Sequence, residues 1–383
     1  MKKRLVILGS TGSIGRSALD VVRNNKDRIE LIGISGHSNV ALLRRQINEF
    51  HPKYVALTHK TAYSGFKDSA ESKDAELLDF ESGIEQLATS NEADIVLNAI
   101  VGAAGLKASL DTAMAGKRLA LANKESMVVG GALINEAASE SGAEIIPVDS
   151  EHSAIWQSLL AGKKSEVKKI ILTGSGGPFR DLPVSGFNSI TKEQALKHPT
   201  WQMGPKITID SATMMNKGLE ILEAMHLFGV PSDKIDVIIH PQSIIHSMVE
   251  FIDCSIVAQM SSPDMRLPIA YAIFYPERIE SVYGCVDLAK AGKLSFQKPD
   301  FNKFPLLKLA YYIAETGGTM PAVYNAANEV AVDAFLKEAI EFIRIPDIII
   351  NTVEKHKTVA DPSFEQIIAA DRWARETAAG LLG

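Results

Sequence analysis

Between residues 4 and 149 the sequence alternates short apolar runs with amphipathic segments, and few folds can accommodate that pattern. Leu5–Leu8, Ile29–Ile34, Lys53–Leu57, Ile95–Ala99, Leu119–Ala122 and Ile145–Val148 read as strands. Helical patterns such as Ile14–Asn24 and Asn39–Phe50 separate most of them. Alternation of this kind predicts α/β architecture, a doubly wound, Rossmann-like parallel sheet with helices on both faces. Ligands of such sheets collect at the carboxyl ends of strands. The glycine turn after Leu8, Asn123-Lys124-Glu125 and Asp149-Ser150-Glu151 all directly follow predicted strands.

The pattern changes near residue 150. A helix is expected from about Ser153, and Lys169–Thr173 reads as a strand ending in Gly174-Ser175-Gly176-Gly177-Pro178. Ile235–Ile239, Ser243–Phe251 and Ser255–Met260 read as further strands, so this region is α+β with a sheet of its own. Residues 275–300 lack periodicity and read as a linker. From about 303 onward the chain is alanine-rich and helical; Pro321–Leu336 is the clearest helix, with Thr319 near its cap. A chain of 383 residues exceeds the usual size of one core. The expected domains are 1–149, 150–274 with a lid near 195–205, and a helical 301–383 beyond the linker.

The 40 basic and 46 acidic residues give a net charge of −6, which argues against a nucleic-acid partner but permits a local positive pocket for a small anion. Cys254 and Cys285 lack metal-ligand spacing and read as reduced thiols of a cytoplasmic protein. The apolar run after Met1-Lys2-Lys3-Arg4 stops at Gly9, too short for a signal peptide, and no segment is long and apolar enough to span a bilayer, so no membrane partner is expected.

Gly9-Ser10-Thr11-Gly12-Ser13-Ile14-Gly15 follows a strand and opens a helix. Its glycines permit a tight turn and close approach of backbone to a pyrophosphate, the mark of a dinucleotide site. The next strand ends at Gly36-His37-Ser38-Asn39, where an NAD-specific site places an acid for the ribose 2′-hydroxyl. No acid is there, which favours NADP(H), although the expected arginine or lysine is missing too; helix capping by Asn39 is the simpler role for this loop and is compatible with binding.

Asp149 and Glu151 stand two apart, a spacing that puts both side chains on one side of an extended segment. Glu220 is the third acid, and an all-oxygen set points to Mg²⁺ or Mn²⁺ over zinc. Any one of these acids alone reads equally as a solvated loop carboxylate. Ser175, Ser211, Asn216 and Lys217 offer hydrogen bonds and a point charge to a phosphate, beside the glycines of the Gly174–Gly177 turn. Lys124 offers a cation to a hydroxyl or carbonyl; in isolation a surface lysine is the better reading. His198 and Trp201, in the loop His198–Pro205 with prolines at 199 and 205, suggest a lid that excludes water, against a tryptophan packed permanently on the core. His152, His240 and His246 match no zinc motif and read as structural.

Taken together these motifs resemble the 1-deoxy-D-xylulose 5-phosphate reductoisomerase family, essentially end to end. The likeness runs through the first glycine turn, Leu121-Ala122-Asn123-Lys124-Glu125-Ser126, Pro147-Val148-Asp149-Ser150-Glu151-His152 and Thr173-Gly174-Ser175-Gly176-Gly177-Pro178-Phe179. It continues through His198-Pro199-Thr200-Trp201, Met214-Met215-Asn216-Lys217-Gly218-Leu219-Glu220, His240-Pro241-Gln242-Ser243, Pro321-Ala322-Val323 and Asn325-Ala326-Ala327-Asn328-Glu329-Val330. The resemblance implies an NADPH-binding domain over 1–149, a catalytic and dimerisation domain over 150–274 and a homodimer. It implies Asp149, Glu151 and Glu220 as ligands of Mg²⁺ or Mn²⁺, with Co²⁺ a further candidate. Ser175, Ser211, Asn216, Lys217, His198 and Trp201 would meet the substrate, and Lys124, Ser150, Glu151 and Glu220 its reacting end. Gly9, Thr11, Gly12, Ser13, Ile14, Gly36, His37, Ser38, Asn39, Asn123, Glu125 and Gly204 would meet NADPH. His37-Ser38 departs from family members that carry a basic residue in this loop.

The implied reaction is metal-assisted rearrangement of 1-deoxy-D-xylulose 5-phosphate followed by reduction with NADPH to 2-C-methyl-D-erythritol 4-phosphate. One competing reading is a plain NADP-dependent dehydrogenase of a phosphorylated sugar or semialdehyde. A simple sugar reductase has no need of three metal acids, and neither cysteine has the setting of a catalytic thiol. The other is a non-catalytic nucleotide-binding regulator, which would not retain the acids and the lid.

Overall fold

The computed structural model describes residues 1–67 and 75–383. Its contacts divide the chain into two compact units, Met1–Ser126 with Ala132–Ser153 and Asp264–Tyr283, and Met127–Gly131 with Ala154–Pro263 and Gly284–Gly383.

Among the described residues of the first unit, seven strands form one parallel sheet: β1 Lys3–Leu8, β2 Ile29–Gly36, β3 Tyr54–Leu57, β4 Glu76–Leu77, β5 Ile95–Asn98, β6 Arg118–Leu121 and β7 Ile145–Pro147. Their order is β4-β3-β2-β1-β5-β6-β7. Every predicted strand of this region forms; β4 is the addition, too short at two residues to leave a periodic signal. Leu5, Val6, Ile7 and Leu8 are all buried, as a central parallel strand covered on both faces requires. Val6 and Leu8 share an apolar cluster with Ile32, Leu87, Val96 and Ala108. The strand order reverses between β1 and β5, and the glycine turn leaves β1 at that switch point, where sheets of this kind open a crevice.

The segment Asp264–Tyr283 belongs to the first unit, although residues 150–274 read from sequence as one stretch. The cause is its helix Arg266–Phe274, buried throughout Pro268–Phe274 and packed on the helix Ser13–Arg23. Arg118 Nη1 also donates to the carbonyls of Ile273 (3.2 Å) and Tyr275 (2.8 Å).

The second unit holds a four-stranded mixed sheet of β8 Val167–Gly174, β9 Ile235–Ile239, β10 Ile245–Phe251 and β11 Ile256–Met260, ordered β11-β10-β8-β9. β8 and β9 run parallel, and the crossover between them carries the predicted lid and the Ser211–Glu220 segment. The helix Met215–Phe228 packs on this sheet and on the helix Pro305–Thr316. Gly218 permits the latter contact, because a Cβ there would stand 2.5 Å from Tyr324 Oη and 3.0 Å from Ala310 Cβ. The C-terminal part is helical as expected, built around the buried helix Met320–Leu336. Thr319 stands at its N-cap position, but its hydroxyl bonds His356 Nε2 (2.8 Å) instead of capping the helix. The 275–300 linker is tied down by a bridge between Ile239 and Gln297. Among the described residues no helix is long and apolar enough to cross a membrane.

The glycine turn sets a packing limit that can be tested. A Cβ on Gly15 would lie 2.3 Å from the Gly9 carbonyl oxygen, whereas one on Gly12 would have 3.4 Å of room. Gly15→Ala should cost about 1–3 kcal/mol, read as a lower thermal midpoint, while Gly12→Ala should leave the midpoint close to that of the parent.

Candidate active site

In the first unit the glycine turn is held by buried polar contacts. Gly9 N donates to Ser35 Oγ (2.9 Å) and Ser10 Oγ to Gln46 Oε1 (2.7 Å). Gly9 has φ +82°, and a Cβ on it would meet the Ala99 carbonyl at 2.7 Å. Only glycine lets β1 turn this close to the chain leaving β5. Ser10 is fully buried, while Thr11, Gly12 and Ile14 are half-buried and Ser13 is exposed at the head of the helix Ser13–Arg23. The turn therefore keeps the backbone cradle that a pyrophosphate needs. Thr11 Cγ2 lies 3.5 Å from where a Gly36 Cβ would stand, so the two predicted cofactor loops meet. Asn39 caps the helix Val40–Phe50 by accepting from Leu42 N (3.1 Å). His37 and Ser38 are exposed.

Asn123, at the end of β6, is committed to holding backbone. Its amide donates to the carbonyls of Ile100 (2.6 Å) and Gly102 (2.9 Å), and its oxygen accepts from Ser126 N (2.8 Å) to cap the helix Lys124–Ser141. Glu125 is buried beside it.

Lys124, 5% exposed, forms an ion pair with Asp149. The sequence alone leaves this lysine on the surface; the parallel pairing of β6 with β7 puts the residues after both strands side by side. Asp149 opens the next helix, which spans Ser150–Leu159 and starts three residues before the predicted Ser153. The Asp149 carbonyl accepts from Ser153 N (2.8 Å), so Asp149 and Glu151 lie across a helix start and not on one side of an extended segment. Their carboxylates still converge, with oxygens within 4.8 Å, because both belong to one turn. Ser150 Oγ donates to Glu151 Oε2 (2.5 Å). A ring nitrogen of His152, also within 4.8 Å of an Asp149 oxygen, adds a buried neighbour that motif reading set aside.

In the second unit the turn after β8 packs directly on the Ser211–Glu220 segment. A Cβ on Gly177 would stand 2.5 Å from the Ser211 carbonyl oxygen, and one on Gly174 2.9 Å from Lys217 Cε. Gly176 and Gly177 both take positive φ, +82° and +70°. The predicted phosphate residues from two distant segments thus share one place. Ser175 Oγ bonds His198 Nε2 (3.0 Å) and accepts from Gly177 N (3.2 Å). His198 Nδ1 accepts from Thr200 N (3.1 Å) and Trp201 N (2.9 Å), which puts the proton of the neutral ring on Nε2, facing Ser175. Trp201 is half-buried, its ring 6.0 Å from that of His246. Gly204 caps the helix Pro205–Ala212, with open space where a Cβ would be.

Glu220 is fully buried and is held by Lys217, itself 4% exposed, and by Asn216 Nδ2 (2.6 Å). A carboxylate so enclosed requires this counter-charge. Met214, just ahead, has φ +60°, strained for a side-chain-bearing residue.

Sequence reasoning missed Asp210. It is 1% exposed and tied to Lys206 Nζ (2.8 Å) and to Asn328 Nδ2 (2.8 Å) of the C-terminal helix Met320–Leu336, which fixes the backbone immediately before Ser211. The i,i+4 spacing of Lys206 and Asp210 was the available signal. Burial raises the Tyr324 phenol pKa well above its ordinary value; this hydroxyl donates to the Leu306 carbonyl (2.9 Å) beneath Gly218. His240 and His246 bond the backbone carbonyls of Ser295 and Ser261, the structural roles expected of them.

Three family models match the chain: 1-deoxy-D-xylulose 5-phosphate reductoisomerase over residues 5–131, its C-terminal domain over 145–228, and the DXP reductoisomerase C-terminal domain over 260–377. The chain is 47% identical over 383 residues to the 1-deoxy-D-xylulose 5-phosphate reductoisomerase of Halothermothrix orenii, covering 100% of both chains. It is 50% identical over 380 residues to that of Chlorobium phaeobacteroides, covering 99% of each. Among solved structures it matches the reductoisomerase from Zymomonas mobilis in complex with NADPH at a TM-score of 0.92 and 41% identity, covering 100% of this chain and 99% of that one. It matches a DOX-P reductoisomerase in complex with NADPH, fosmidomycin and magnesium at 0.93 and 40%, covering 99% and 98%. On its sequence and its fold, the chain belongs to the 1-deoxy-D-xylulose 5-phosphate reductoisomerase family.

Proposed function

We propose that this chain catalyses the metal-assisted rearrangement and NADPH-dependent reduction of 1-deoxy-D-xylulose 5-phosphate to 2-C-methyl-D-erythritol 4-phosphate, in isoprenoid precursor synthesis by the methylerythritol phosphate route. The observation that carries the reading is the full-length match to reductoisomerases at 47–50% identity. When bound, the divalent cation supplies Lewis acidity and the nicotinamide supplies hydride.

Asp149, Glu151 and Glu220 are assigned as the cation's ligands. Their all-oxygen donor set suits Mg²⁺, Mn²⁺ or Co²⁺, and the match to a magnesium-bound relative supports it. Lys124 pairs with Asp149 and Lys217 with Glu220, so each carboxylate has a cation beside it. Ser150 and Lys124 then bind substrate oxygens at the reacting end. Ser175, Ser211, Asn216 and Lys217 take the phosphate, and His198 donates to it from Nε2. Trp201 shields the substrate from water. Fixing the phosphate away from the reacting carbons orients them for rearrangement. Gly9, Thr11, Gly12, Ser13 and Ile14 line the pyrophosphate cradle, with Gly36, His37, Ser38 and Asn39 at the ribose; Asn123, Glu125 and Gly204 complete the cofactor set. The working assignment is 1–149 for NADPH, 150–263 for catalysis and dimerisation, with Asp264–Tyr283 grouped with the first unit, and 301–383 for support.

The protein acts as a homodimer in the cytoplasm. The support for a second copy is β11, an edge strand on which Ile256 is 53% and Met260 37% exposed. An apolar edge left open invites pairing, and a copy of the same strand is the simplest cover. Exposed free Cys254 and Cys285 suit a reducing compartment.

Glu220→Gln should lower kcat by on the order of 10²–10³-fold while NADPH binding, followed by fluorescence, is retained; full turnover would remove Glu220 from the ligand set. Ser175→Ala should raise KM for the phosphorylated substrate by roughly tenfold with a smaller change in kcat. In sedimentation, Ile256→Asp should convert the dimer to monomer with an unchanged circular dichroism spectrum. A persistent dimer would place the interface elsewhere.

A further inference from the structure

The loop after β2 lacks the arginine or lysine that commonly meets a 2′-phosphate, and the fold supplies a replacement from the neighbouring strand. β2 and β3 pair in parallel with Gly36 opposite Leu57, so the residues following each strand emerge together. His37 Nδ1 lies 2.8 Å from Thr58 Oγ1, and the His37 and His59 rings meet edge to face at 5.2 Å, with an interplanar angle of 82°. His37, Thr58 and His59 are all exposed. His59 Nδ1 accepts from Ala62 N (3.3 Å) at the head of the helix Lys60–Lys67, so the neutral ring carries its proton on Nε2. Neither Nε2 has a partner among the described residues, which leaves each ring one polar atom to offer a ligand.

Residues 35–48 around the end of β2 and 56–67 after β3 hold no aspartate or glutamate; Glu49 lies at the far end of the helix Val40–Phe50, and Lys53, just before β3, is paired with Glu92 (2.6 Å). Lys60 adjoins His59 in the chain, and Arg44 lies over the Phe66 ring at 5.9 Å, joining the two following helices. Two imidazole rings, each with Nε2 open to a ligand, beside Lys60 and with no carboxylate in either loop, suit a phosphate dianion at the carboxyl ends of β2 and β3.

We propose that His37 and His59 together form the clamp for the 2′-phosphate of NADPH, and that His59, from the β3 loop, determines the preference for NADPH over NADH. The proposal rests on the dinucleotide-binding reading of the first unit. A neutral 2′-hydroxyl makes weaker bonds to the same ring atoms and draws nothing from the charge of Lys60.

The test is calorimetric titration of the full chain, without substrate, with NADPH, NADH and the probe pair adenosine 2′-monophosphate and adenosine 5′-monophosphate. His59→Asn keeps an acceptor for the Ala62 N–H and removes the ring, which guards against simple loss of the helix start. Each of His37→Asn and His59→Asn should weaken NADPH about tenfold, and the pair on the order of a hundredfold, with NADH affinity unchanged. Adenosine 2′-monophosphate should lose binding in parallel, and His59→Lys should restore selectivity. Equal losses for NADPH and NADH, or no loss for either, overturn the clamp. A parent chain that binds neither dinucleotide overturns the dinucleotide reading itself, and this proposal with it.

Discussion

A carboxylate removed from water must have a positive partner, and the second unit is organised around that demand at Glu220. The acid is fully buried on the helix Met215–Phe228 and takes its counter-charge from Lys217 and a hydrogen bond from Asn216, one turn away. Breaking a buried pair of this kind costs about 3–5 kcal/mol, because the remaining charge has nowhere to go. Lys217 is in turn pinned by the β8 turn, whose Gly174 leaves room for its Cε and little else. The residues that satisfy the acid are those proposed for the phosphate, so on that proposal charge balance in the core and ligand recognition draw on the same groups. In the first unit Lys124 and Asp149 repeat the arrangement at the ends of β6 and β7.

Backbone proximity is the second constraint. Gly9 and Gly15 let the turn after β1 fold onto itself and against the chain leaving β5, and Gly177 lets the β8 turn touch Ser211. In each place a Cβ would collide with a carbonyl oxygen that cannot move without its sheet or helix. These glycines are therefore geometric requirements of two ligand-facing turns. The polar side chains around the first of these turns (Ser10, Ser35 and Gln46) hold backbone, which leaves the proposed cofactor recognition there to exposed groups such as Ser13 and His37.

The C-terminal helices contribute through Asp210. Asn328, on a helix more than a hundred residues further along the chain, donates to a carboxylate that Lys206 also neutralises. The next residue is Ser211. A helix with no part in the proposed chemistry thereby fixes the backbone that carries the Ser211 hydroxyl proposed for the phosphate, while Tyr324, from the same helix, lies against Gly218 and donates to the Leu306 carbonyl.

Much of this was legible in the chain. Hydrophobic periodicity set the parallel sheet, because strands covered on both faces must be continuously apolar, and the motifs named the carboxylates, the hydroxyls and the glycine turns. The two-residue β4 was not legible, since a period needs repeats to show. Neither was the helix start at Ser150, because the polar run Asp149–Ser153 hides the first turn and apolar periodicity resumes only at Ala154. Pairing across sequence distance was the other gap. Whether Lys124 reaches Asp149, whether Asn328 reaches Asp210 and whether His59 stands beside His37 depend on strand order, register and helix packing. The sequence by itself determined which groups are available and which local turns they sit on. The tertiary structure decided which of them meet, because contact between distant residues follows from how the whole chain buries its apolar surface.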